Sequence, residues 1–199
     1  MLSTDISVSS DLKNQLIKYQ RVRKRTEETC SPLQIEDFVS QPIVDVSPPK
    51  WHLAHTTWFF ETFILRKFPE YRVFNKDYSF LFNSYYNTVG ERVLRHDRGK
   101  MTRPAVSDIM KYRAYVDQNI ASFINAEKLT ETHLELLELG IQHEMQHQEL
   151  LYYDIKYILG VNPIAPVYNE NCSADRVKED QVGSFKAVEE GVYEIGYTG

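Results

Sequence analysis

The run His143-Glu144-Met145-Gln146-His147 is the part of this sequence best equipped to do chemistry. On a helix, His143 and His147 fall one turn apart on one face, so both imidazoles can reach a single metal ion. Glu144 between them points to two different chemistries. In a zinc peptidase it would be the general base acting on a metal-bound water; in a helical metal site it would be a supporting or surface group. A third ligand from elsewhere in the chain has to decide. The stripe shared by the two histidines runs from Leu136 and Gly140 to Leu151 and Asp154. A glycine inside a helix costs about 1 kcal/mol against alanine, which implies that another element comes close at Gly140.

Two candidates for the third ligand stand in Trp51-His52-Leu53-Ala54-His55. His55 shares a helical face with Phe59 and Phe63, where a histidine is more often a core residue with a hydrogen-bond partner than a ligand. Its value rises because a helix carrying HxxxH needs such a donor on a facing helix. His52 and His55 lie only about 60° apart around a helix axis, and periodicity leaves the choice between them open. A second chemical cluster is Arg92, Arg95, His96, Asp97, Arg98 and Arg103. Guanidinium forks suit a carboxylate clamp, although a salt-bridged loop in solvent has the same composition.

The elements that must position these groups are helical. Leu12, Leu16, Tyr19 and Val22 predict a helix over residues 11–29, capped by Ser9 or Ser10. Ser31-Pro32-Leu33-Gln34 offers the start of a short second helix, and residues 41–49 read as loop. The histidine-bearing segment predicts a helix over 51–67, followed by an aromatic and then charged stretch, 68–101, without helical period. Pro104 opens a helix to about residue 126 with Ile109, Tyr112, Val116, Ile120 and Phe123 on one stripe. Thr130 or Thr132 caps the last helix, whose core stripe reads Leu134, Leu137, Ile141, Met145, Gln148, Ile155 and Ile158. Gly160 and Asn162-Pro163 end it after roughly 45 Å. The fold class is therefore all-α over residues 1–168. A polar linker follows over 169–181, then a short β-prone tail over 182–199 with Gly183, Gly191, Gly196 and Gly199.

With 199 residues, 42% of them hydrophobic, the chain is long enough for one well-buried core. A net charge of −5 argues against a nucleic-acid partner, since phosphate binding wants a basic face. Cys30 and Cys172 are too few for a disulfide framework, nothing at the start resembles a signal peptide, and no apolar run has the length of a membrane span. The expectation is a cytoplasmic protein.

Three features together resemble one family: Trp51-His52-Leu53-Ala54-His55-Thr56-Thr57-Trp58-Phe59-Phe60-Glu61; Asn83-Ser84-Tyr85-Tyr86-Asn87 with Arg95-His96-Asp97-Arg98-Gly99; and His143-Glu144-Met145-Gln146-His147-Gln148-Glu149. In order and spacing they look like the N-terminal DinB-like four-helix domain of the ergothioneine-pathway sulfoxide synthases (EgtB type), and the tail from Val182 looks like the first strands of that family's formylglycine-generating-enzyme-like second domain. The resemblance implies a mononuclear non-haem Fe(II) site with His55, His143 and His147 as ligands, which favours His55 over His52. It implies that Gln146 contacts hercynine, and that Arg95 and Arg98 hold the carboxylates of the thiol substrate, cysteine or γ-glutamylcysteine. The reaction would be O2-dependent C–S bond formation with sulfoxidation. That family's catalytic tyrosine lies in the C-terminal domain, of which this chain carries only the opening. Iron binding is thus expected of this chain, and synthase activity of a longer parent. The alternative is a DinB-like thiol S-transferase using a divalent metal to activate a thiolate. A zinc peptidase would leave the His55 motif unexplained, and a plain helical module would need no metal.

Overall fold

The computed structural model describes residues 4–84, 90–170 and 184–196, with side chains of the first helix from Leu12 onward. It is all-α, with helices α1 (Thr4–Cys30), α2 (Pro49–Phe63), α3 (Tyr78–Phe82), α4 (Val106–Asn125) and α5 (Glu131–Gly160). Short 3-10 turns occur at Asp37–Val39, Leu65–Lys67 and Arg95–Lys100. The chain divides into two compact units, Met1–Tyr168 and Asn169–Gly199.

In the first unit α1 packs on α4 and α5, and α2 packs on the same two helices. The sequence of α2 explains its place. Trp51, Leu53, Ala54, Trp58, Phe59 and Phe60 leave no polar face, and all but the last of its residues are buried. A helix apolar all round belongs inside a core. Pro49 at its first position lacks the N–H that would have no partner there, so the helix starts two residues before Trp51. The expected stripe of α4 is buried throughout, as are Leu12, Tyr19 and Val22 of α1.

Several expectations are corrected. The first helix begins at Thr4, so Ser9 and Ser10 lie inside it rather than at its cap. Ser31 to Gln34 forms a turn, and between it and α2 the helical geometry is limited to the 3-10 turn at Asp37–Val39. The α2 helix stops at Phe63, and 3-10 geometry carries the chain on to Lys67. Met145, placed on the core stripe by spacing, is 41% exposed, because the buried face of α5 is turned toward Gly140, Glu144 and His147. In the second unit residues 184–196 form no strand. An extended run without a neighbour has no ladder for its N–H and C=O groups. Tyr85, Tyr86 and Asn87 lie outside the described residues.

The described residues of the stretch 68–101 are largely exposed or half-buried, yet the stretch is pinned to the core at several points. Buried Glu61 of α2 accepts hydrogen bonds from the Tyr71 hydroxyl at 2.6 Å, the Phe74 N–H at 3.0 Å and the Tyr112 hydroxyl at 2.6 Å. Lys50 Nζ donates to the carbonyls of Met101 (2.6 Å) and Pro104 (3.0 Å), and Gln41 Nε2 donates to the carbonyl of Arg95 at 2.8 Å. These anchors carry the arginine segment to the N-terminal end of α2.

Gly140 is where α2 and α5 approach closely. A Cβ there would collide with the Phe60 ring and lie 3.0 Å from Phe59. Gly140→Ala is expected to destabilise the protein by about 1–3 kcal/mol in chemical denaturation, against the gain of about 1 kcal/mol that helix propensity alone predicts.

Candidate metal centre

The facing sides of α2 and α5 bring four imidazoles together, His52 and His55 from one, His143 and His147 from the other. His55, His143 and His147 each offer a ring nitrogen, and these three atoms lie within 4.8 Å of one another. Their ring centroids are 4.6–5.0 Å apart. The His55 ring lies nearly parallel to the indoles of Trp51 and Trp58, at centroid distances of 4.4 and 5.5 Å. Its Nδ1 donates to the Phe82 carbonyl at 2.6 Å, which leaves the Nε2 lone pair on the cluster side of the hydrogen-bond balance.

All of these imidazoles are held neutral. Burial pushes the His55 ring well below the usual histidine range, reinforced by His143 and opposed by the Phe82 carbonyl. Burial brings His143 down to about 4, although Glu144 pulls the other way. For His147 burial acts first, and His52, His55 and His143 add to the depression. Neutral imidazoles with available lone pairs are what a metal ion requires. Among the described residues, His143 Nδ1 is a buried polar atom with no hydrogen-bond partner, as a ligand nitrogen would be before its metal arrives. The donor set fits a divalent transition metal.

His52 stands behind this set rather than in it. Its Nδ1 is 2.8 Å from His147 Nδ1, and its Nε2 is 2.8 Å from Asp154 Oδ2. The spacing of α2 left His52 and His55 open as ligands, and the fold gives them these two different positions.

A cavity of about 340 Å3 is lined by the three convergent histidines together with Arg95, Arg98 and Gln146. The two arginines come from the 3-10 turn Arg95–Lys100, in which residues i and i+3 eclipse one another and so project the same way. Arg98 is buried, its guanidinium 3.4 Å over the Trp51 ring, and it donates to Ser47 Oγ (2.8 Å) and Ser84 Oγ (3.3 Å). Arg95 is exposed and donates to the Asp45 carbonyl. Gln146 is exposed on α5. Ser84 stood in the sequence only as part of a motif without a role, and Asp45 and Ser47 of this cavity were not read as site residues, since small polar residues in loops carry no periodicity.

Glu144 is turned away from the histidines. It is completely buried and accepts hydrogen bonds from Arg23 Nη1 at 2.9 Å, Thr26 Oγ1 at 2.7 Å and Arg113 Nη2 at 3.1 Å. Burial favours its neutral form, but Arg23 and Arg113 outweigh that and hold its carboxyl at about 2. A carboxylate locked in this way is not a general base, which removes the zinc-peptidase reading. Arg23 and Arg113 also went unremarked in the sequence. Their signal was available: Arg23 follows Tyr19 by four and Arg113 follows Ile109 by four, so both fall on apolar stripes.

A family model for the DinB superfamily matches residues 18–151, the span that carries both histidine pairs and the arginine segment. No curated protein matches the chain.

Removing Glu144 leaves two buried guanidinium groups without their shared partner. Glu144→Ala is expected to cost about 3–5 kcal/mol of stability in urea titrations. Because its folded value of about 2 lies below its ordinary 4.5, Glu144 stabilises the fold above pH 4.5, and that contribution is lost as pH falls toward 2. Glu144→Gln should flatten the stability profile across this window.

Proposed function

The chain belongs to the DinB superfamily, and on that premise we propose that it is the non-haem Fe(II)-binding domain of an O2-dependent sulfoxide synthase, which joins cysteine or γ-glutamylcysteine to hercynine in ergothioneine biosynthesis. The observation that carries the reading is the meeting, in one cavity, of His55, His143 and His147 with Arg95 and Arg98. His55, His143 and His147 would hold the iron as neutral imidazoles, and Fe(II) so held would supply the capacity to bind a thiolate and O2.

The residues of this chain bind and orient. Arg98 is pre-set by its stacking on Trp51 and its bonds to Ser47 and Ser84, so little side-chain freedom is lost when it takes up a carboxylate. Arg95, on the same side of the 3-10 turn, adds a second cation for the thiol substrate. Gln146, one residue before His147, offers its amide to the carboxylate end of hercynine or to a water bound there. Trp51 and Leu150 give the cavity apolar wall beside these polar groups. On this reading residues 182–199 open the second domain, in which the resemblance expects the catalytic tyrosine.

Anaerobic titration of the 199-residue chain with Fe(II) should give one ion per chain. His55→Ala, His143→Ala and His147→Ala should each abolish tight binding, while His52→Ala retains the stoichiometry. Cysteine added without oxygen to the Co(II)-loaded chain should give a thiolate charge-transfer band, and Arg98→Ala should raise the cysteine needed roughly 10–100-fold. Metal binding that survives His55→Ala, or no binding at all, overturns the reading. An S-linked product formed from thiol and substrate without O2 moves the assignment to the metal-dependent thiol S-transferase.

A further inference from the structure

The three convergent histidines are oriented in three different ways. The His55 ring is fixed by a main-chain carbonyl, at 2.6 Å from Nδ1. His143 has no such partner at Nδ1 among the described residues. His147 is held by another imidazole, and that contact has a direction that can be worked out.

Two ring nitrogens 2.8 Å apart, His147 Nδ1 and His52 Nδ1, need one N–H and one lone pair between them. The far end of the chain of contacts decides which has which. Asp154 Oδ2 accepts the backbone N–H of Ser47 at 3.0 Å, the role of a carboxylate oxygen, and lies 2.8 Å from His52 Nε2. His52 therefore donates Nε2–H to Asp154. In a neutral imidazole the lone pair then sits on Nδ1, where it accepts Nδ1–H from His147. That leaves His147 with its lone pair on Nε2. Every member of the relay is less than a tenth exposed, so water does not compete for these bonds.

We propose that Asp154 and His52 are positioning residues that fix His147 as its Nδ1–H tautomer and so direct its Nε2 lone pair to the metal. The proposal rests on the three-histidine metal reading. Metal-bound histidines commonly donate their second nitrogen to a carboxylate or a carbonyl. Here the carboxylate acts from one residue further back, through a second imidazole from the opposite helix, so that α5 supplies both ends of the relay and α2 its middle.

The test compares the full chain with His52→Leu, His52→Gln and Asp154→Ala by two measurements. The first is the nitrogen NMR of the imidazoles in metal-free protein. Wild type should show His147 protonated at Nδ1, and His52→Leu should move that proton to Nε2. The second is Co(II) titration followed by visible absorption. His52→Leu and Asp154→Ala should bind roughly 10–100-fold more weakly. His52→Gln, whose amide can accept and donate across a similar distance, should stay within about threefold of wild type. Thermal unfolding of the metal-free proteins identifies any variant that does not fold, and His52→Gln against wild type then carries the comparison with Asp154→Ala. The proposal is overturned if His147 keeps its Nδ1 proton in His52→Leu, or if that variant binds Co(II) as wild type does. Failure of wild type to bind Co(II) instead sinks the metal reading, while the NMR result still decides the relay.

Discussion

One buried carboxylate ties together all four long helices. Glu144 of α5 is held by Arg23 and Thr26 of α1 and by Arg113 of α4. The same two arginines reach α2, where Thr57 Oγ1 lies 2.8 Å from Arg23 Nη2 and 3.3 Å from Arg113 Nη1. Arg23 Nε also bonds Asp117 of α4 at 2.8 Å. Buried charges of this kind are tolerated only when every lone pair and proton has a partner, and that demand makes the arrangement specific. Because Glu144 neighbours His143 in sequence, fixing it fixes the rotation of α5. The histidines are thereby turned onto α2 and the cavity. The histidine cluster depends on an electrostatic lock on the other side of the same helix.

Packing sets the remaining coordinate. Gly140, just one turn before Glu144, admits the rings of Phe59 and Phe60. The axes of α2 and α5 come close enough there for imidazoles from both to converge a turn later. Trp51 and Trp58 flank the ring of His55, so the position of that ligand follows from the core itself. The three imidazoles are therefore held together by the fold itself, which would limit the ordering cost of binding a metal.

Much of this was legible in the residues. The stripes of α1 and α4, the span of α5 and the close approach at Gly140 follow from spacing and from the cost of a buried glycine. The choice of His55 over His52 did not come from spacing. Both are buried on a helix with no polar face, so periodicity has no contrast to work with, and only the resemblance to a known family distinguished them. Met145 was misplaced for a related reason. Counting along the stripe treats apolar residues as inward, whereas α5 uses its inward face for Glu144, His147 and Gln148, all buried, and leaves Met145 partly in solvent. The ion-pair network was readable only as cations at apolar positions, a pattern that spacing flags without naming the partner. The tail shows the opposite failure, since β-prone composition does not make a strand without a neighbour.

The arginine segment has a different mechanical standing from the histidines. It rides on residues 68–101, pinned by Glu61, Lys50 and Gln41, whereas the imidazoles stand on helices fixed by the charge network. On the proposed reading, metal binding and anion recognition would rest on separately anchored parts. On that reading, residue changes between Arg95 and Lys100 would retune which acid the cavity accepts while the histidine cluster stays as it is. Changes to the helical interior alter both at once. For a protein engineer the fold divides into a chassis that resists alteration and an exchangeable reading head, and divergence of substrate range within such a scaffold would be expected to accumulate in the latter.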